Sequence, residues 1–126
     1  MSDPPLNEHG LAGSHRPDPT WEVTPRQVRA WRDAGEPVVL LDVRTPEEVA
    51  TAAVEGTTHV PMGEVPARLP ELEEHAEDRV VVMCHHGQRS MQVAAFLRQQ
   101  GFEDVRSMAG GIDAWSLGVD RSVPRY

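Results

Sequence analysis

The chain has one cysteine, Cys84, among 126 residues, so neither an internal disulfide nor a Cys-x-x-Cys redox pair can form within it. No apolar run approaches the roughly 18–20 residues a bilayer-spanning helix needs. The first residues, Met1-Ser2-Asp3-Pro4-Pro5, lack the basic and apolar regions of a secretory signal. A cytoplasmic location is therefore expected, with no membrane partner. Positive charge is also short: 12 Lys and Arg stand against 20 Asp and Glu, for a net charge of −8. That balance argues against general nucleic-acid binding, which depends on neutralising phosphates. No internal repeat is visible, and the length predicts one domain with a single core.

What is present is a regular alternation. Residues 1–20 are rich in Pro, Gly, Ser, Asp and His and predict an irregular or mobile arm outside the core. The domain proper is expected over residues 21–126. Trp21-Glu22-Val23 predicts a short strand, and Thr24-Pro25 an N-cap with proline at the first helical position. Val38-Val39-Leu40-Leu41 is a continuous apolar run, suited to a strand buried on both faces. Thr45-Pro46-Glu47-Glu48 then has the form of a capping box. A short strand is expected over 57–60, short helical pieces over 64–75, and a second buried strand over 80–83. A helix over 90–100, a strand over 104–107 and a helix after Gly110-Gly111 complete the pattern. Trp31 and Trp115 fall on apolar helical faces and are expected in the core. Strands alternating with helices predict a mostly parallel α/β sheet.

Ligands in such sheets bind beyond the carboxyl ends of the strands. Cys84 follows one buried strand, and Asp42 and Arg44 follow another, so all three are expected on one rim. Cys84 opens the run Cys84-His85-His86-Gly87-Gln88-Arg89-Ser90, a strand-to-helix turn with an arginine five positions on. Convergent N–H groups and a helix N-terminus are surroundings that favour a thiolate. Gly87 stands where a tight loop needs positive φ. His85 and His86 flank the sulfur and could help to keep it anionic. Such a thiolate could attack electrophilic sulfur, phosphorus or arsenic. Arg89 would either bind an anionic substrate or brace the loop.

Several competing readings remain beside this one. Cys84 could be a small buried hydrophobe. A metal site built from Cys84, His85 and His86 with His59 or His75 lacks the ligand spacing of structural zinc, and no metal is expected. A papain-like arrangement lacks a downstream histidine beyond the immediate neighbours of Cys84. Asp42 and Arg44 could simply pair with each other or brace loops, and Gly110-Gly111 reads as a turn into the last helix.

Taken in order, the motifs from about Trp21 to Trp115 resemble the single-domain rhodanese-like sulfurtransferases. They are Leu41-Asp42-Val43-Arg44-Thr45-Pro46-Glu47-Glu48, Val54-Glu55-Gly56 leading to His59-Val60-Pro61, the Cys84 to Ser90 run, Leu97-Arg98-Gln99-Gln100-Gly101-Phe102, and Met108-Ala109-Gly110-Gly111-Ile112-Asp113-Ala114-Trp115. The resemblance implies a five-stranded parallel sheet ordered 1-5-4-2-3 with helices on both faces. It implies two-step sulfur transfer without a cofactor, through a covalent persulfide on Cys84. The donor would be a small sulfur-containing anion such as thiosulfate, or a persulfide. The acceptor would be cyanide, a small thiol or a protein. Main-chain N–H groups of His85, His86, Gly87, Gln88 and Arg89 would hold the persulfide, Arg89 and Arg44 the anionic donor, and Asp42 would support the rim. Related folds acting on phosphate or arsenate use a Cys-x5-Arg loop, whereas the position six after Cys84 is Ser90. The family often carries Gly-His-Ile where this chain has Ala52-Ala53-Val54, and an aromatic where it has Val49. A rhodanese-like domain that docks a partner or senses oxidation without turnover is the alternative of a different class.

Overall fold

A computed structural model describes residues 3–126. Five strands run through it: β1 (Glu22–Val23), β2 (Val39–Asp42), β3 (Thr58–His59), β4 (Arg79–Met83) and β5 (Asp104–Met108). Five helices intervene: α1 (Pro25–Asp33), α2 (Pro46–Thr51), α3 (Leu69–Leu72), α4 (Gln88–Gln99) and α5 (Gly111–Gly118), with short 3-10 turns at Met62–Glu64 and Glu73–His75. The strands form one sheet in the order β1-β5-β4-β2-β3. Every adjacent pair is parallel.

Both faces of the central strands are covered, which is why their sequences are continuous apolar runs rather than alternations. Val80 and Val82 of β4 join Leu41, Val105 and the α4 residues Val93, Ala94 and Leu97 on one face. Val81 and Met83 join Leu40, Val28 of α1, and Ile112 and Trp115 of α5 on the other. Trp31 packs at the edge of that second cluster, where the Arg79 guanidinium lies 4.1 Å over its ring.

The helix starts follow local chemistry. Thr24 and Thr45 each accept the N3 backbone N–H, and Gln27 and Glu48 reach back to the cap backbone, so both capping boxes are closed. In the stretch where Ala52-Ala53-Val54 departs from the family pattern, Ala52 and Val54 are buried. Arg32 of α1 holds the following turn by donating to the carbonyls of Glu55 and Gly56.

Two expectations need correction. The helix expected over 90–100 begins at Gln88, because Gly87 takes a left-handed conformation (φ 105°) and serves as its N-cap. Arg89 therefore projects from the first turn of α4 rather than from the loop. The second concerns the arm, of which residues 1–2 lie outside the described residues. From Asp3 to Thr20 it is irregular in having no helix or ladder, with one antiparallel bridge between Leu6 and Ala12. It is not outside the core. Leu11 is fully buried against Ala109 and Ala114. The side chain of Asn7 accepts from the backbone of His9 and Leu11 and donates to the carbonyls of Gly13 and His15. A Cβ on Gly118 would lie 2.9 Å from the Gly10 carbonyl oxygen, so glycine there lets the arm lie directly on α5. The composition of the arm is polar, but Leu11 anchors it to the core while Asn7 shapes its own turn.

Candidate active site

Parallel pairing brings the ends of β2 and β4 side by side. Asp42 is in register with Met83, and the Val43 N–H donates to the Met83 carbonyl at 3.0 Å. The chain therefore leaves the sheet at Asp42-Val43-Arg44 and at Cys84 on the same rim, as topology predicts.

The sulfur of Cys84 accepts the N–H groups of Gly87 at 3.1 Å and Ser90 at 3.3 Å. It also lies 3.3 Å from the Ser90 hydroxyl, to which a thiol donates and from which a thiolate accepts. Ser90 Oγ is in turn 2.7 Å from Ser107 Oγ of β5, and both serines are fully buried. No side chain caps α4, and the N–H groups of its N-cap, Gly87, and of Ser90 in its first turn are directed at the sulfur instead. Cys84 is only 1% exposed.

The outer side of the loop is held by α5. Ile112 N–H donates to the Cys84 carbonyl at 2.9 Å, and Asp113 N–H to the His85 carbonyl at 3.2 Å. A Cβ on Gly111 would stand 2.3 Å from the His85 oxygen and 2.5 Å from the Cys84 oxygen. Gly110-Gly111 is thus a turn, as expected, and also the close contact that points the loop carbonyls outward.

The two rim arginines are both internally paired. Arg89 makes a bidentate contact with Glu48, 2.6 and 2.9 Å. Arg44 is fully buried against Asp42, with Nε 3.0 Å from Oδ1 and the terminal nitrogen 2.8 Å from Oδ2. Tyr126 links the pairs: its hydroxyl accepts from Arg44 at 2.9 Å and donates to Glu48 at 2.7 Å. Hydrogen bonding from Arg89 holds the Glu48 carboxyl well below the usual carboxylate range. Burial pushes the Tyr126 hydroxyl up to about 12. His59 contributes a ring nitrogen 2.7 Å from the Arg44 carbonyl oxygen.

The imidazoles are engaged in stacking. Neither is hydrogen-bonded to the sulfur. The His85 ring is stacked between His86, at 3.8 Å, and Tyr126, at 3.9 Å and nearly parallel. Burial, followed by the neighbouring His86, holds His85 below the usual imidazole value, so it is a poor cation at neutral pH. Gln88 occupies the first position of α4. His85, His86 and Asp113 have ligand atoms within 4.8 Å of one another and could hold a metal ion, but Arg125 already engages Asp113 at 2.8 Å. Cys84 and His59 are outside that group, and His75 faces Asp78 instead.

Sequence reasoning missed Ser107, Tyr126 and the second role of Glu48. The capping-box motif did single out Glu48, but as a helix residue only. Nothing near Tyr126 signals its position, which depends on Val123 being buried and on Ser116 holding the Val123 carbonyl at 2.6 Å.

A family model for the rhodanese-like domain matches residues 24–117, most of the chain. The chain belongs to the rhodanese-like family. It is 35% identical over 94 residues to a putative sulfurtransferase of Bacillus subtilis, covering 75% of this chain and 88% of that protein. A rhodanese-like domain protein from Staphylococcus aureus has the same fold, with a TM-score of 0.72 and 25% identity over 84% of this chain and 98% of that one. An adenylyltransferase and sulfurtransferase of Zea mays is 28% identical over 97% of this chain, which spans only 26% of that protein's length. Proteins named as sulfurtransferases are thus among the relatives of this rhodanese-like chain, and its sheet order matches the family expectation.

Proposed function

We propose that the protein is a sulfurtransferase that carries a sulfane sulfur as a persulfide on Cys84. The Cys84 thiolate attacks the outer sulfur of thiosulfate or of a persulfide, and the S–S bond of the donor breaks. Its electron pair leaves with sulfite or with a thiolate. A thiophilic acceptor, such as cyanide, a small thiol or a protein thiol, then removes the sulfur and regenerates Cys84. The observation that carries this reading is the convergence of the Gly87 and Ser90 N–H groups on Sγ. Oriented donors that need no reorganisation stabilise a thiolate and the charge of a persulfide. In this reading the main chain from His85 to Arg89 receives the outer sulfur, while Asp42 and Arg44 brace the rim.

No metal or cofactor enters the reaction in this reading, because both electrons of each new bond come from the attacking nucleophile, Cys84 in the first step and the acceptor in the second. The acidic chain is read as having no nucleic-acid partner. Among the described residues no helix is long and apolar enough to cross a membrane. The cytoplasmic location is part of the proposal, since a single free thiol suits a reducing compartment.

Intact mass spectrometry tests the reading. Wild type incubated with thiosulfate or an organic persulfide should gain one sulfur atom, and a thiol should remove it. Cys84→Ser should gain none. Failure of wild type to gain sulfur from either donor would instead support a non-turnover binding or redox-sensing domain.

A further inference from the structure

The expected anion-binding role of the rim arginines conflicts with their partners. Arg89 is saturated on one side by Glu48, Arg44 by Asp42, and Arg125 by Asp113 and Asp3, so each of these arginines around the loop already has a carboxylate partner. Tyr126 adds no charge and donates its proton to Glu48. What remains for a donor is the set of loop N–H groups, and two of those already serve the sulfur.

We propose that Glu48 is a specificity-determining residue that turns the site away from thiosulfate-like dianions and towards organic persulfides. The inference rests on the sulfur-transfer reading above. Thiosulfate brings two negative charges to a thiolate. When its S–S bond breaks, Cys84 keeps the transferred sulfur as a persulfide anion and sulfite leaves as a dianion. Three negative charges then share a site whose paired side chains supply no net positive charge, with the Arg89 guanidinium engaged by the Glu48 carboxylate. A persulfide in its electrophilic, protonated form brings none. The thiolate attacks its outer sulfur, the S–S bond breaks, the leaving thiolate takes the electron pair, and the proton stays on the transferred sulfur. Glu48 remains ionised throughout the neutral range, because Arg89 holds it so. The parallel rings of Tyr126 and His85 add an uncharged wall suited to an organic leaving group.

The experiment compares second-order rates of Cys84 persulfide formation from thiosulfate and from cysteine persulfide, read by intact mass. Wild type should favour the persulfide by about 100-fold, the scale expected when like charges meet without compensation. Added salt should speed the thiosulfate reaction and change the persulfide reaction less, because screening relieves repulsion. Glu48→Gln keeps the side-chain length and the capping box but removes the charge. It should shift the donor ratio towards thiosulfate by about tenfold. The proposal is overturned if wild type prefers thiosulfate, if salt slows thiosulfate as it would an attracted dianion, or if Glu48→Gln slows both donors alike. The wild-type ratio and its salt dependence decide the matter even if the variant does not fold. Equal, efficient sulfur uptake from both donors would overturn only the specificity. No uptake from either would overturn the sulfur-transfer reading as well.

Discussion

Two helix entrances stand side by side on the rim of the sheet, and they solve the same problem differently. Helix α2 follows β2, and its first N–H groups are satisfied by the Thr45 side chain while Glu48 folds back on the cap. Helix α4 follows β4, begins at a glycine in the left-handed region, and has no side-chain cap. Two N–H groups at this entrance, those of Gly87 and Ser90, go to the sulfur of Cys84, three and six residues upstream. A capped helix start is closed to ligands, whereas an uncapped one next to a nucleophile is a place for chemistry. The two entrances cooperate: the capping residue of the closed one, Glu48, fixes the arginine of the open one.

The contrast can be broken most severely through α5. Gly111→Ala drives a Cβ into the loop carbonyls at a position with φ 61°. Persulfide formation should fall by about 100-fold, as misplacement of a reacting group by around an ångström does. Stopped-flow sulfur uptake checks this. Arg44→Ala attacks the closed entrance. It leaves Asp42 buried without its partner, and stability in urea denaturation should drop by about 3–5 kcal/mol. Ser90→Ala tests the open entrance more gently. It keeps the backbone N–H but removes the hydroxyl shared by Sγ and Ser107. Iodoacetamide alkylation of Cys84 at neutral pH should slow by about tenfold, the equivalent of one lost buried hydrogen bond.

Smaller effects sharpen the comparison. Thr45→Ala should cost about 1 kcal/mol of stability, as loss of a threonine cap does, and slow alkylation less than Ser90→Ala. The Glu48 carboxyl lies below its ordinary value of 4.5 in the folded state. Its contribution is therefore complete above about pH 4.5 and drains away as the pH falls from there towards the folded value. Glu48→Gln should lose stability less steeply than wild type below that pH, measured as midpoint temperature against pH.

Much of the architecture was legible because its signals are local. The N-cap at Thr24, the capping box at Thr45 and the apolar runs of β2 and β4 act over a few residues, and those elements formed about where they stand. The start of α4 was misplaced by two residues because Gln88 and Arg89 read as part of a loop, while the left-handed Gly87 already turns the chain into the helix. The arm was misjudged for the opposite reason. Its composition is that of a mobile segment, yet the glycine at Gly118 opens α5 to it and Leu11 fills the space.

Within the site, the turn from Cys84 to Gly87 was readable from the chain alone, since an apolar run, a glycine and a helical pattern follow one another there. The fates of the two arginines were not readable. Arg89 meets Glu48 across 41 positions, and Tyr126 meets Glu48 across 78. Those contacts exist because parallel crossovers return every strand end to the same rim, and because the final segment folds back with Val123 buried. Sequence by itself determined where Cys84 lies and which backbone surrounds it, because those depend on neighbours. Only the tertiary structure decided that the cations beside it are already neutralised, because a charge pair is made by whichever groups the packed sheet brings within reach.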